Sequence, residues 1–296
     1  MNLDARSVKV AEGFEFCEGP AFGPDGWLYV VNVEGGYVSR VSMSGEVLRV
    51  AETGSAGSAA GSADTTGGPN GGQFDADGNY IVCECKRRAI VAVAPAGQVS
   101  MVADSCEGKP FNGPNDLAID ADGGFYFTDP EGSSLENRIG SVYYVRPDRT
   151  VVRVAAGLAY PNGINVTVDR SAVIVAETRT RQLYRYERRR NGTLGRRELF
   201  CRLEGGVGPD GMCFDRDGNL YIAHFGSGCV DVIDPSGEWI GSLATPGENP
   251  TNCCFGPPGS QFASSLFVTE TVTNAVWRLD VGVEGMPLHH LAVASE

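Results

Sequence analysis

The sequence predicts an all-β fold, a six-bladed β-propeller with four antiparallel strands in each blade. Three observations carry this prediction. Glycine is about twice as frequent as usual, at 40 of 296 residues. Helical periodicity is not sustained, and the glycines stand mostly in Asp-Gly or Gly-Pro pairs between short runs of Val, Ile, Tyr and Phe. A motif also repeats along the chain at a regular interval, which sets the number of blades.

The repeated motif begins with a short triplet and leads into a tight turn. Five copies start at Cys17-Glu18-Gly19, Pro69-Asn70-Gly71, Pro114-Asn115-Asp116, Pro161-Asn162-Gly163 and Pro209-Asp210-Gly211. In each copy an aspartate stands seven residues after the second position, and a strand-like run follows. A sixth, degenerate copy starts at Pro250-Thr251-Asn252, and successive copies lie 41 to 52 residues apart, the length of a propeller blade. Six copies fill the chain, so we expect a single propeller domain over residues 1–296.

The segment before the first copy predicts how the ring closes. Residues 7–11 resemble the outermost strands of the blades but precede blade 1. We therefore expect an N-terminal strand to form the outer strand of blade 6, which closes the ring and hides two sheet edges. The alternative is the C-terminal segment 288–291.

Polar residues recur where the inner strand of each blade begins, a face called here the upper rim. The first set is Glu18, Asn70, Asn115, Asn162, Asp210 and Thr251. The second strand of a blade returns to the same rim, where a second set stands: Asn32, Glu84, Asp129, Glu177, His224 and Glu270. A blade has no need of carboxylates or amides at these places, so we interpret the twelve positions as functional, the first set pointing into the channel mouth and the second lying on the same rim.

The first set indicates a metal site. Glu18, Asn162 and Asp210 alternate around the ring, with Asn115 adjacent, and all four supply oxygen ligands. Hard oxygen donors with about two negative charges suit one divalent cation, Ca²⁺ first, with Mg²⁺ or Mn²⁺ as alternatives. Zn²⁺ fits less well, because it prefers His and Cys. The competing interpretation is that Asn and Asp start strands because they hydrogen-bond the local backbone.

Four motifs together resemble those of the senescence marker protein/regucalcin and gluconolactonase family. They are Glu18-Gly19-Pro20, Gly113-Pro114-Asn115-Asp116, Tyr160-Pro161-Asn162-Gly163-Ile164 and Gly208-Pro209-Asp210-Gly211-Met212, and the resemblance spans roughly residues 10–280. It implies a six-bladed propeller with one divalent metal in the central channel and hydrolysis of sugar lactones. It also implies Glu18, Asn162 and Asp210 as metal ligands, Asn115 as a further ligand or substrate contact, and Asp210 as the catalytic base.

Two other functions stay open. Squid-type diisopropyl fluorophosphatases share the same Glu, Asn, Asn, Asp layout and cleave phosphorus–fluorine bonds, so an organophosphate hydrolase is one alternative. The strictosidine synthase group shares the fold without this metal set. The metal-type residues are all present in this sequence, which disfavours that group. The other alternative is a non-catalytic propeller that binds calcium or another ligand.

For a lactonase we expect the metal to polarise the carbonyl and stabilise the tetrahedral oxyanion. Water, activated by Asp210 or by the metal, attacks, and a hydroxy acid results. His224 is predicted as a second catalytic residue that passes a proton to the leaving alkoxide or orients its neighbours. The alternative is a rim histidine with no catalytic duty.

The partner is expected to be a small-molecule lactone. Its predicted contacts are Asn70, Glu84, Arg88, Asn115 and Asp116. The Gly/Ser/Ala-rich insertion from Ala51 to Gly68 is expected to be a lid over the mouth or a surface loop.

Charge and composition exclude some partners. The net charge is −13, from 24 Lys+Arg and 37 Asp+Glu, which argues against nucleic acid or an anionic membrane and is compatible with a bound cation. No apolar run approaches the ~20 residues of a membrane span, and no export signal is recognisable, so we expect a cytoplasmic protein. Its nine cysteines are then expected to be reduced, and Cys83-Glu84-Cys85 is not a zinc spacing. The oligomeric state is left open.

Overall fold

The computed structural model of the chain describes residues 1–53 and 68–287. Within these residues the chain forms six four-stranded antiparallel sheets. The first strand of each sheet contacts the first strand of the next, and the sixth contacts the first, so these six inner strands surround a central channel. The prediction of an all-β, six-bladed propeller is therefore confirmed.

The strands of each blade run from inner to outer in chain order, except in blade 6. Blade 1 comprises Cys17–Phe22, Leu28–Asn32, Tyr37–Val41 and Val47–Glu52. Blade 2 comprises Pro69–Phe74, Tyr80–Glu84, Ala89–Val93 and Val99–Ala103. Blade 3 comprises Leu117–Ile119, Phe125–Asp129, Gly140–Val145 and Val151–Leu158. Blade 4 comprises Pro161–Val166, Ala172–Glu177, Gln182–Arg188 and Leu194–Arg202. Blade 5 comprises Gly208–Phe214, Leu220–Phe225, Cys229–Ile233 and Trp239–Ala244. Blade 6 comprises Pro250–Phe255, Ser265–Glu270, Ala275–Asp280 and, outermost, Ser7–Glu12.

Two further elements connect blades. A short hairpin pairs Ser105–Cys106 with Lys109–Pro110, before the inner strand of blade 3. A 3-10 turn, Thr178–Thr180, follows the second strand of blade 4. Among the described residues, no helix is long and apolar enough to cross a membrane.

The turns between inner and second strands are built by aspartates. Asp215 Oδ1 accepts hydrogen bonds from the backbone N–H groups two and four residues later, at 2.9 Å each. Asp75 and Asp120 make the same two contacts in blades 2 and 3. A carboxylate that bonds its own following backbone fixes a tight turn, and in these three blades it stands two residues before the aspartate of the Asp-Gly pair.

The N-terminal strand closes the ring as predicted. Ser7–Glu12 pairs antiparallel with Ala275–Asp280, from Ser7 opposite Leu279 to Glu12 opposite Ala275. Blade 6 then packs on blade 1 through an apolar cluster, in which the rings of Phe22 and Phe267 meet edge to face at 4.9 Å. The alternative closing strand at 288–291 lies outside the described residues.

The core lies between the blades. Each pair of neighbouring sheets encloses its own apolar cluster, so six clusters follow one another around the ring. Between blades 1 and 2, for example, Tyr29, Phe74 and Tyr80 pack with ring centroids 4.8 to 5.7 Å apart. Because both faces of each blade are covered in this way, the second strands are buried along their whole length.

The inner strands of five blades, all except blade 3, are irregular at the upper rim. In blade 5, Pro209 pairs with His224 and Met212 with Ile222, so Asp210 and Gly211 together face one residue of the second strand. Blades 1, 2, 4 and 6 show the same shift in register. Such a β-bulge bends the strand and re-aims a side chain. The rim residues therefore do not obey the strict alternation of the sheet.

Candidate metal centre

Three carboxyl groups lie buried at the upper end of the central channel. Glu18, Asp116 and Asp210 are only 4%, 7% and 9% exposed. Burial, together with the charge of Asp116, raises the pKa of Glu18 to about 8. Burial also raises the pKa of Asp116 to about 7. The pKa of Asp210 lies well above its usual range, because the group is buried and near the charges of Glu18 and Asp116. When ionised, these acids repel one another.

Neutral amides surround the acids. The Asn162 side chain hydrogen-bonds Asp210. Asn252 Nδ2 donates to Glu18 Oε2 at 3.0 Å, and the same side chain hydrogen-bonds Asp116. Asn115 is also buried, and its backbone carbonyl accepts a hydrogen bond from the Gly71 N–H at 2.7 Å. The four predicted ligands thus lie buried at the starts of inner strands; their binding of a metal stays a prediction.

The residues present fit a divalent cation. Within the described chain, no Lys, Arg or His side chain forms an ion pair or hydrogen bond with Glu18, Asp116 or Asp210. Ionised carboxylates that are buried without a cationic partner are strongly unfavourable. A cation held by carboxylate and amide oxygens would offset that cost, and an all-oxygen donor set suits Ca²⁺.

Glycines next to the rim residues make space for these side chains. A Cβ at Gly71 would stand 2.0 Å from Asp116 Oδ1, and a Cβ at Gly211 would stand 2.0 Å from the Asn252 amide carbon. Only Gly19 among the glycines of this motif also needs a positive φ, of 53°. Close approach of the next blade is therefore the main reason for glycine here.

Asn252 was not predicted from the sequence. Thr251 was expected to be the rim residue of blade 6, but the Thr251 hydroxyl donates to the Cys17 carbonyl of blade 1 at 2.9 Å, and the residue is fully buried. Asn252 enters the channel instead. It stands where four of the other copies have glycine, as does Asp116, and this exception to the glycine pattern was the available signal.

The second rim set has a structural role that was not expected from the sequence. Its members are buried and hold the loop that leads into their own blade, mostly by accepting backbone N–H groups. Asn32 accepts from Glu15 N, Asp129 accepts from Asn112 N and Gly113 N, Glu177 accepts from Ala159 N, and Glu270 accepts from Asn249 N, at 2.6 to 3.0 Å. A blade therefore does need a carboxylate or amide at this place, for a structural reason.

Glu84 belongs to the same structural group. Its side chain is fully buried, and its carboxylate accepts the Arg87 backbone N–H within its own loop. The structure therefore buries Glu84 and does not join it to the channel acids, and its contact with a substrate stays a prediction. Arg88 is exposed on that loop, and its guanidinium donates to the Phe111 carbonyl. The structure does not join Arg88 to the acids, whereas Asn70 lies half-buried at the rim, with its carbonyl close to Gly19.

His224 is held away from Asp210. Its Nδ1 lies 2.8 Å from Asp231 Oδ2, and its Nε2 lies 3.3 Å from the Gly205 carbonyl oxygen. The ring is 2% exposed, and no hydrogen bond joins it to Asp210 in the described chain. The structure therefore does not bring this histidine to the acids, and the predicted proton transfer to a leaving group lacks the contact it requires.

Tyr160 marks the mouth of the channel and was not found from the sequence. Burial and the charges of Asp210 and Glu131 raise its pKa to about 12. Its backbone is in the left-handed region, with φ of 65°, which is uncommon for a bulky residue and concentrates at functional sites. The guanidinium of Arg179 lies 5.1 Å from its ring centre, and Cys85 Sγ lies 4.0 Å from Glu131 Oε2. The predicted lid over this mouth, Ala51–Gly68, lies largely outside the described residues.

A cavity of about 530 Å³ occupies the channel on the other side of the acids. Of the described residues that line it, Asp116 and Asn252 form the polar end, and Phe22, Phe74 and Phe214 are among the apolar ones. The four predicted ligands are not in this lining. The acids and amides thus separate the upper mouth from the part of the channel that this cavity occupies.

Comparison with known proteins gives a consistent family. Residues 16–272 match the family model described as SMP-30/Gluconolactonase/LRE-like region. The chain is 31% identical to the diisopropyl-fluorophosphatase of Loligo vulgaris over 292 residues, covering 92% of this chain and 91% of that protein. It is 33% identical to the gluconolactonase of Zymomonas mobilis over 222 residues, covering 68% of this chain and 60% of that protein.

Solved structures show the same fold. A gluconolactonase from Xanthomonas campestris superposes with a TM-score of 0.78 at 29% identity, covering 93% of this chain and 89% of that one. The calcium-binding protein regucalcin from Agrobacterium tumefaciens has a TM-score of 0.78 at 22% identity, covering 97% and 98%. With a family model matched over most of its length and the same six-bladed ring, the chain belongs to the SMP-30/gluconolactonase/LRE-like family.

Proposed function

We propose that the protein is a divalent-metal-dependent lactonase that opens a sugar lactone to its hydroxy acid. One observation carries the proposal: three buried carboxyl groups, with amides but no cationic side chain as partners, lie at the mouth of the channel. Relatives named gluconolactonase and lactonase support lactone hydrolysis as the reaction. The partner proposed is thus a small molecule.

Glu18, Asn162, Asp210 and Asn115 are the proposed ligands, and Ca²⁺ is the proposed ion. When bound, the ion would supply the Lewis acidity that polarises a lactone carbonyl. Asn162 orients Asp210 through its side-chain hydrogen bond, and Asn252 orients Glu18 and Asp116. The substrate would enter past Tyr160 at the upper rim.

Asp210 is the proposed base. In the ion-free protein, burial and the neighbouring acids raise the pKa of its carboxyl, and a bound divalent cation would hold the group as the carboxylate that can accept a proton. It takes a proton from water as the water oxygen bonds to the carbonyl carbon. The ring carbon–oxygen bond then breaks, and the leaving alkoxide takes that proton back from Asp210. One lactone and one water thus give one hydroxy acid.

The second candidate is an organophosphate hydrolase acting through the same residues. The match to diisopropyl-fluorophosphatase supports it, because that match extends over 92% of the chain, more than the 68% of the gluconolactonase match. A non-catalytic calcium-binding propeller is the third possibility.

Acid release in a pH-stat separates the three. The protein is tested on a panel of aldonolactones and on diisopropyl fluorophosphate, with Ca²⁺, after EDTA, and after Ca²⁺ is restored. We expect acid release on lactones that EDTA abolishes and Ca²⁺ restores. Turnover confined to the phosphofluoridate would favour the second candidate. Bound Ca²⁺ without any turnover would leave only a binding protein.

Asp210→Asn tests the role of the base. We expect a loss of turnover of at least about a hundredfold, as for removal of a general base. Calcium affinity is measured on the same variant, so that the roles of ligand and base are separated. Asp217→Asn, an exposed aspartate on the opposite face of blade 5, is the control and should be unchanged. Near-native turnover of Asp210→Asn would exclude it as the base.

A further inference from the structure

A second group of metal-ligating side chains lies away from the channel acids, where blade 5 faces blade 4. His224 is on the second strand of blade 5, and Cys229 and Asp231 are on the third. One ligand atom from each of the three lies within 4.8 Å of the other two. His224 is directly opposite Cys229 in the strand pairing, and Asp231 follows two residues later on the same face of the sheet. The register of two strands therefore brings a nitrogen, a sulfur and an oxygen donor together.

Two hydrogen bonds orient the donor atoms. The Gly205 carbonyl oxygen lies 3.3 Å from His224 Nε2, so the N–H belongs on Nε2 when it donates there. Nδ1 then carries a lone pair and faces Asp231 Oδ2 at 2.8 Å. Trp239 Nε1 donates to the other carboxylate oxygen, Asp231 Oδ1, at 2.9 Å. Ligands whose second atoms are held by a backbone carbonyl or another donor are typical of built metal sites.

The metal-free arrangement leaves an electrostatic conflict. Both neighbours of the His224 ring, the Asp231 carboxylate and the Gly205 carbonyl, are hydrogen-bond acceptors. A neutral imidazole has one N–H and can satisfy only one of them. His224 and Asp231 are 2% and 6% exposed, so water does little to resolve this. A metal ion between Nδ1 and the carboxylate would satisfy both groups while the N–H on Nε2 donates to the Gly205 carbonyl.

We propose that His224, Cys229 and Asp231 bind a borderline divalent cation of the Zn²⁺ class, at a site separate from the channel. Imidazole, thiolate and carboxylate are the ligands that Zn²⁺ takes in proteins, whereas Ca²⁺ avoids nitrogen and sulfur. The ion binds the Nδ1 lone pair, and the Cys229 thiol releases its proton on binding. Cys229 is partly exposed, which gives the ion a route from solvent.

Cobalt(II) is the probe that distinguishes this site. A thiolate bound to Co²⁺ gives an intense charge-transfer absorption in the near ultraviolet, and a site with oxygen donors alone gives none. Full-length protein is treated with EDTA, dialysed, supplied with excess Ca²⁺ and titrated with Co²⁺. We expect the band to saturate near one equivalent and to disappear when Zn²⁺ is added. A wild-type protein without the band overturns the proposal, whatever the variants do.

Variants assign the band to these residues. Cys229→Ser should remove it. Cys213→Ser is the matched control and should keep it, because Cys213 lies by the channel, 3.5 Å from Cys253 Sγ, and that thiol pair is the competing source. Trp239→Phe leaves all three ligands but removes the donor to Asp231, and should weaken Co²⁺ binding about tenfold to a hundredfold. A band that survives in Cys229→Ser and is lost in Cys213→Ser would also overturn the proposal.

Discussion

Asn252 hydrogen-bonds two of the three buried acids, Glu18 and Asp116. Its amide is neutral, so it orients the carboxylates without cancelling their charge. It lowers the pKa of both groups, while burial raises it more strongly. Asn252 therefore favours the deprotonated carboxylates that a cation requires.

Asn252→Ala should weaken Ca²⁺ binding by about tenfold to a hundredfold, because the two carboxylates lose a shared donor and become harder to ionise. Isothermal titration calorimetry checks this. Asn165→Ala is the matched control: it is equally buried, but its amide donates to the Met212 carbonyl and not to an acid. Equal affinity losses in both variants would show a general effect on stability in place of the proposed role.

At the scale of single residues, repeat spacing was enough to place Glu18, Asn162 and Asp210 at the starts of inner strands, because each blade uses the same turn. Spacing could not show which way a side chain points. Glu84 and His224 stand at the predicted rim, yet they face a loop and a neighbouring blade. At the end of a strand, a side chain can face either the channel or the adjoining loop and blade, only a few ångströms apart. The sequence does not distinguish these two environments.

Threonine hydroxyls join neighbouring blades. Thr128 of blade 3 donates to the Asn162 carbonyl of blade 4 at 2.7 Å, and Thr178 donates to the Pro209 carbonyl of blade 5 at 2.8 Å. Both accepting residues belong to the bulges at the upper rim. The hydroxyls thus fix the position of each bulge relative to the blade before it.

Thr128→Val keeps the shape of the side chain and removes the hydroxyl. It should lower the free energy of unfolding by about 1–3 kcal/mol, because the buried Asn162 carbonyl loses its donor. Denaturant titration measures the change, and the exposed Thr150→Val serves as the control. An unchanged midpoint in Thr128→Val would mean that another donor replaces the hydroxyl.

Of the changes to whole elements, removal of the N-terminal strand is expected to lower the thermal midpoint most. Deletion of residues 1–12 exposes the edge of Ala275–Asp280 and opens the ring. Since 1 kcal/mol corresponds to about 2–4 °C in a chain of this class, we expect the thermal midpoint to fall by at least about 5 °C. Differential scanning calorimetry checks this.

A synthetic peptide of residues 1–12 should restore part of that midpoint, and a scrambled peptide should not. A deletion variant that melts like the full chain would show that the ring holds without this strand.

For the whole molecule, the buried acids oppose the stability of the metal-free state. The net charge is −13, and three of the negative groups lie at one point of the channel. The pKa values of Glu18 and Asp116 in the folded chain are about 8 and about 7, above their usual 4.5 and 3.8. At a pH between the usual pKa and the raised pKa of each group, the folded chain holds protons that the unfolded chain has released. The stability of the metal-free protein therefore falls as pH rises through this range.

In EDTA, the thermal midpoint should therefore decrease from pH 5 to pH 8. With Ca²⁺ the ligands must be deprotonated, so the stabilisation by Ca²⁺ should increase over the same range. Thermal unfolding in both buffers measures the difference. Glu18→Gln should flatten the decrease in EDTA, and the exposed Glu46→Gln should not. A midpoint that rises with pH in EDTA would contradict the assignment of these groups.

The architecture as a whole was predictable because the turn aspartates recur with the blade period and because the strand before blade 1 had no other partner. The channel was only partly predictable. Asn252 lies in the degenerate copy of the repeat, and Tyr160 reaches the channel through a left-handed backbone. Neither feature recurs with the blade period, so spacing does not predict it. The His224, Cys229 and Asp231 group depends on the pairing register of two strands, which spacing alone does not fix.

The bulges at the start of the inner strands of blades 4 and 5 have a further consequence for how such a protein changes over time. Asp210 and Asn162 occupy an extra position outside the ladder, so exchanging them leaves the pairing of the flanking residues intact. The framework and the chemistry are thus encoded by different residues. Such positions are replaceable, and new specificities can arise by substitution at them without redesign of the scaffold.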